Sequence, residues 1–358
     1  MNGLVMDTHE LLILYNAIHE QTSGEVVIHF PFYDTDLFRY DMYKDEIRYI
    51  VPSWRFQKAK DSFTNGMSPF MSQDAPRWVD MKDSFMKAGV LPYQNFHDVK
   101  LSLEKVLNET DDRSLHPKNP VLALDTNILY NRFVSRSMDF IGANRKVGRG
   151  DFKYVISTLV REELDSQIVK KYYPQSISEM EKRYNRGEIA KEFSNGSARN
   201  NRKAKDAIVE MRHVIRDLGA SIADFREERP KDKEVMDRAI VKSYLDFQND
   251  TGTRVILLTC DQDMAFHASN AGLPSIVISI PYHVPNHLRM NPKRWARVLH
   301  SLAIGYGIIE IRGVATLYSE WRGKDHNSYE REEVKVYIED KKMYDKVARW
   351  LKLSLQMM

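Results

Sequence analysis

Two stretches decide the fold, Val121–Leu129 (VLALDTNIL) and Val255–Asp263 (VILLTCDQD). Each is an unbroken apolar run of the kind buried on both faces of a parallel sheet. Each stops at an acid, Asp125 in the first, Asp261 and then Asp263 in the second. The chain around them repeats the pattern. Strands are expected at 121–124, 153–157, 220–224, 254–258 and 275–279, with helical periodicity at 159–171, 203–218, 234–248 and 264–271. Apolar strands alternating with amphipathic helices predict an α/β fold, a parallel sheet covered on both faces. Ligands of open α/β sheets bind beyond the carboxyl ends of the strands, so Asp125 and Asp261 arrive at one edge. An acid directly after a strand also serves as a helix N-cap, and for Asp125 the two readings stand level.

The helices add two acids to that edge. In the segment STLVREELDSQI, Val160, Leu164 and Ile168 form the core stripe, Glu163 flanks it on the side of Leu159, and Glu162 points to water. In KEVMDRAIVKSYLDFQ, Asp237 borders the face made by Met236, Ala239, Ile240, Tyr244 and Phe247, and an acid in a first turn also suits the helix dipole. Asp224 and Asp232 are substitutes for it. Taken singly, each acid has an ordinary structural role. Four converging carboxylates would repel in a low dielectric unless a cation neutralised them. Oxygen-only ligation suits Mg²⁺ or Mn²⁺, and such an ion can drive in-line displacement at a phosphodiester.

Composition sets outer limits. The chain has 358 residues, 42% of them apolar, which is enough for two or three domains with a core and excludes wholesale disorder. One cysteine, Cys260, excludes disulfides and Cys-rich zinc sites and fits a reducing, cytoplasmic location. No signal peptide and no membrane span are expected, since the longest apolar-leaning stretch, 298–311, is short and interrupted by His300, Ser301 and Glu310. Residues 1–116 hold 18 acids against 12 Lys and Arg, so the remainder carries a net +9 of the chain's +3. That asymmetry favours a polyanion-binding surface in the later part. Proline-bearing segments at 108–120 and 281–293 mark boundaries, giving an N-terminal α+β domain at 1–116, a central domain at 117–284 and a small C-terminal α+β region at 285–358. The aromatic-rich stretch after residue 51 carries no motif and reads as irregular.

Pro120–Pro281 resembles the PIN domain, a metal-dependent nuclease fold with a Rossmann-like parallel sheet. The resemblance is carried by LALDTNIL, STLVREELD, MDRAIVKSYL and VILLTCDQDMAFHASNAGLPSIVI. It implies that Asp125, Glu163, Asp237 and Asp261 are catalytic metal ligands and that Asp263 is a further acid of the metal site. It gives Thr126, Asn127 and Thr259 supporting roles beside them. Glu163 and Asp237 are separated by 73 residues, more than small family members use, so an insertion near 172–203 is implied. From 180 to 216 there are ten Lys and Arg against five acids. The run SNGSARNNRKAK reads as a mobile basic arm with Arg199, Arg202, Lys203 and Lys205 on phosphates, or else as a solvated loop.

The function these features imply is a divalent-metal-dependent endonuclease, with RNA as the substrate favoured by the resemblance. A structure-specific DNA nuclease and a non-catalytic PIN-fold scaffold binding nucleic acid or protein are the alternatives. A protein partner or a second copy of the chain stays open.

Overall fold

In the computed structural model, the register of one parallel sheet sets every later position. The structure describes residues 3–21, 24–111, 119–143, 145–183, 187–194, 196–230 and 232–357. The sheet's strands are β1 (Pro120–Leu124), β2 (Tyr154–Ser157), β3 (Ser221–Ala223), β4 (Arg254–Thr259) and β5 (Ser275–Val277). Their order is β5-β4-β1-β2-β3, all parallel. The chain winds outward from β1 to β3, then returns to lay β4 on the other side of β1. The switch point therefore lies between β1 and β4. Leu124 pairs with Leu258 of β4 and with Ile156 of β2. One residue further, Asp125, Thr259 and Ser157 reach the carboxyl edge together. All five residues of β1 are buried, which is why its sequence does not alternate.

Helices that lie between successive strands of this sheet in sequence include α1 (Thr126–Tyr130), α2 (Thr158–Gln167), α3 (Arg199–Arg216), α4 (Lys233–Thr251) and α5 (Gln262–Asn270). Three of them start at the carboxyl edge with side-chain caps. Asp125 caps α1, Ser157 caps α2 and Asp261 caps α5. Beyond β5, Asn95 acts as an added strand end. Its Nδ2 donates to the Val277 carbonyl and its Oδ1 accepts from Ser279 N, both at 2.8 Å.

Packing divides the chain into two units that are not consecutive segments. One comprises Pro92–Ile168 and Ala204–Tyr282, the other Met1–Leu91, Val169–Lys203 and His283–Met358. This differs from the expected succession 1–116, 117–284 and 285–358. The reason is visible in the second unit, where the chain's two ends share one eight-stranded antiparallel sheet. Ile308–Ile311 pairs with Glu25–Phe30, and Leu4–Met6 pairs with Val334–Ile338. The expected 108–120 linker is helical to Asp111 and β-strand from Pro120, and residues 112–118 lie outside the described residues.

The stretch after residue 51 is helical rather than irregular, with helices at Ser53–Thr64, Pro69–Asp74, Trp78–Lys87 and Phe96–Asp111. Its punctuation is local: Pro69 opens one helix, and the Asp80 carboxylate accepts from Arg77 N at the start of another. No helix among the described residues is long and apolar enough to cross a membrane.

A buried tyrosine closes the edge of the parallel sheet. Tyr244 of α4 is 0% exposed. Its hydroxyl donates to the Leu124 carbonyl at 2.6 Å and accepts from Ser157 N at 3.1 Å. It thus bridges the ends of β1 and β2 directly beneath Asp125. Removing the hydroxyl leaves a buried donor and acceptor short of a partner, a loss of roughly 1–3 kcal/mol. Tyr244→Phe should therefore lower stability by that amount and speed hydrogen exchange at the Ser157 amide. Unchanged exchange at Ser157 would contradict the bridge.

Candidate functional site

Asp125 is 3% exposed, at the end of a strand where one backbone amide and two side chains donate to it. Thr126 N donates to Oδ1 at 2.6 Å, while the Thr259 hydroxyl at 2.7 Å and Asn127 Nδ2 at 3.2 Å donate to Oδ2. These bonds hold the charged form down in pKa, but burial outweighs them and the nearby Glu163 adds to it. The carboxyl is pushed up to about 6.

Two threonines tie the acids together. Thr259 spends its hydroxyl proton on Asp125 and accepts from Asp261 N at 2.9 Å. Thr126 donates its amide to Asp125 and its hydroxyl to Glu163 Oε2, both at 2.6 Å. Asp125, Glu163 and Asp261 are thereby brought to one edge through β1, α2 and the β4–α5 turn. Asp261 also receives Asp263 N on Oδ1 at 2.8 Å, so this residue and Asp125 are helix caps and members of the cluster at once.

The other expected residues fall as follows. Glu162 is exposed and faces Arg229, whereas its neighbour Glu163 is half-buried, as helical facing requires. Asp237 is half-buried in the second turn of α4, and Asp263 is exposed in the first turn of α5. Asp232 is the N-cap of α4 and Asp224 is exposed beyond β3, so each has a separate local place. Cys260, between Thr259 and Asp261, is half-buried.

The basic arm is a correction. Arg199, Arg202, Lys203 and Lys205 lie on α3, and the first two are 4% and 1% exposed. Arg202 donates to the carbonyls of Ile304 and Ser197 at 2.8 and 2.7 Å and to the Tyr172 hydroxyl at 3.2 Å. Arg199 Nη1 and Lys203 Nζ hold the Asp80 carboxylate at 2.7 and 3.0 Å. Burial would raise that carboxyl, yet the Lys203 and Arg199 charges keep it at about 2. Lys203 and Lys205 are half-buried. Arg199, Arg202 and Lys203 are therefore internal ties, because the stretch is a helix with a buried face. Residues 184–186 and 195 of the same basic region lie outside the described residues. Among the aromatic residues near the C-terminus, Trp295, Tyr306 and Tyr318 are core.

Sequence reading missed Tyr244 as a polar residue, since it falls on the apolar face of α4 and only its hydroxyl has a polar task. It also passed over Arg229, whose signal was a charged run directly after a strand.

The donor set is oxygen only, with one carboxyl deeply buried and a second close enough to raise it, and that fits a hard divalent cation. Asp125 and Glu163 are near enough to couple, and Asp261 joins them through its backbone amide on Thr259 rather than through its carboxylate. Without a cation, the charged Asp125 works against folding. Its folded value of about 6 lies above the ordinary 3.8, so the native state binds the proton more tightly. The stability contributed by that proton is present below the ordinary value and is lost as pH rises to about 6, a cost of about 3 kcal/mol. Asp125→Asn removes this dependence. It also introduces an amide facing the Thr259 hydroxyl, an offset that is the same at every pH. In EDTA, the stability of Asp125→Asn relative to the wild type should rise between pH 4 and pH 6 and then level off, as read by denaturant titration. A difference that does not vary with pH would refute the burial argument.

A family model described as PIN domain matches residues 122–278, from β1 to just past β5, and so spans Asp125, Glu163, Asp237, Asp261 and Asp263. Among solved structures, a domain of a functionally unknown protein from Methanocaldococcus jannaschii DSM 2661 is similar at 13% identity, covering 46% of this chain and 95% of that one, with a TM-score of 0.28. A likeness at that score carries no argument. No curated protein matches the chain. PIN domains are generally nucleases and usually use divalent metals. The central part of the chain, residues 122–278, is a PIN domain, a nuclease-type fold.

Proposed function

We propose that the protein is a divalent-metal-dependent endonuclease that hydrolyses phosphodiester bonds in RNA. The observation that carries this reading is the threonine-linked set Asp125, Glu163 and Asp261 at the switch point of the sheet. RNA is favoured because PIN domains are typically ribonucleases. Mg²⁺ or Mn²⁺ suits the all-oxygen donor set. A bound ion of this kind supplies positive charge to the phosphate and to the attacking and departing oxygens of an in-line displacement.

The chain's own residues supply position. Thr259 orients Asp125 against Asp261, Thr126 orients Glu163 against Asp125, and Asn127 props the second oxygen of Asp125. Asp237 joins them in this reading because it lies seven residues, about two turns, before Tyr244 on one face of α4. That face is the one whose Tyr244 hydroxyl meets the end of β1. Asp263 is the outermost acid, at the mouth. A reducing cytosol is the assigned compartment, on the single cysteine.

Labelled RNA and DNA oligonucleotides incubated with Mn²⁺, Mg²⁺ or EDTA test the proposal. Cleavage of RNA that needs the metal supports it; DNA cleaved in preference to RNA would make the protein a DNA nuclease. Glu163→Gln should lower the saturated rate by about 100-fold or more, while Glu162→Gln leaves that rate within about threefold. Thr259→Val, which touches no substrate, should cost about 10–100-fold through the displaced Asp125. Equal effects at Glu162 and Glu163 would contradict the placement of α2.

A further inference from the structure

The segment of residues 224–230, between β3 and α4, lies on the carboxyl edge and has no part in the cluster above. It is laid along α2: Phe225 N donates to Thr158 Oγ1 at 3.0 Å, and Arg229 Nε lies 3.7 Å from Glu162 Oε2. Arg229 is thus beside the residue that immediately precedes Glu163. An open depression of about 440 Å³ lies between this segment and α4, with Arg229, Arg238 and Lys242 in its lining. Glu227 and Glu228 line it too; Glu227 is held by Lys242, and Arg238 by Glu234 at 2.7 Å. Arg229 differs from those two. Its carboxylate partner belongs to the helix of the acid cluster, and the pair is open to water, at 44% and 48% exposure, with a long contact. Exposed pairs of this kind bind weakly. The guanidinium fork matches a phosphate better than a single distant carboxylate oxygen.

We infer that this depression seats a phosphate of the substrate strand next to the scissile one, with Arg229 as its contact. In the free protein Glu162, outside the lining, competes for the same guanidinium. The ligand class is a phosphodiester of a single-stranded nucleic acid, and the inference rests on the nuclease reading above. It gives Glu162 and Arg229 opposite signs. Removing the charge of Glu162 releases Arg229 and leaves less negative charge near the strand, so binding tightens. Removing Arg229 loosens binding and makes Glu162 irrelevant.

The test uses the full chain and a fluorescent single-stranded RNA oligonucleotide in EDTA, so that binding is read without cleavage. Arg229→Gln should weaken binding about 3–10-fold and flatten the slope of log affinity against log salt by roughly 0.7. Glu162→Gln should tighten binding about 2–5-fold, and the double variant should match Arg229→Gln alone. Because one variant gains affinity, misfolding cannot mimic the pattern. The inference is overturned if Glu162→Gln binds no better than wild type, or if Arg229→Gln keeps the wild-type salt slope. A wild-type protein that neither binds nor cuts RNA or DNA would instead overturn the nuclease reading, and this inference with it.

Discussion

Burying a carboxylate at the end of an apolar strand is the constraint on which the rest of the central unit turns. Asp125 is almost wholly removed from water, and an isolated charge there costs several kcal/mol. Three donors converge on it, and each comes from a residue fixed by its own element: the first amide of α1, the side chain of Asn127, and the hydroxyl of Thr259 on the neighbouring strand. Below it, Tyr244 locks the ends of β1 and β2, so the strand end cannot splay to let water in. The donors reduce the cost without cancelling it, as the raised carboxyl shows. A fold keeps an imbalance of that kind where a ligand can settle it, and perturbed acids gather at functional sites for this reason.

The two threonines explain how three acids from separate parts of the chain keep one geometry. A carboxylate would repel its neighbours if packed against them directly. A hydroxyl between two acidic residues donates to one and accepts from the other's backbone, which Thr259 does with Asp125 and Asp261. Thr126 divides its amide and its hydroxyl between Asp125 and Glu163. The acids are therefore held at fixed positions by neutral groups.

How much of this was legible in the sequence depended on whether the signal was local. The five strands of the parallel sheet follow from apolar runs, and the turn from Leu124 to Asp125 from one that stops at an acid, a pattern that backbone register converts directly into position. The distinction between Glu162 and Glu163 follows from helical facing alone. Other features were long-range and left no local trace. Arg199 and Arg202 sit among Asn, Lys and Ser, and only their distant partners, Asp80 and the Ile304 carbonyl, make them interior residues. The shared sheet of the two chain ends depends on pairing between residues nearly three hundred apart, such as Ile28 with Ile311. Tyr244 counted correctly as apolar, but its hydroxyl could not be assigned before its two backbone partners were known.

The most direct measurement is a calorimetric titration of Mn²⁺ into the metal-free protein and into Asp125→Asn, below and above pH 6. The wild type should bind saturably, with protons released in the pH range where Asp125 is still partly protonated, and the variant should bind much more weakly. Equal Mn²⁺ affinity in the two proteins, or binding without proton release near pH 6, would contradict the claim that the buried carboxylate is the centre of the site.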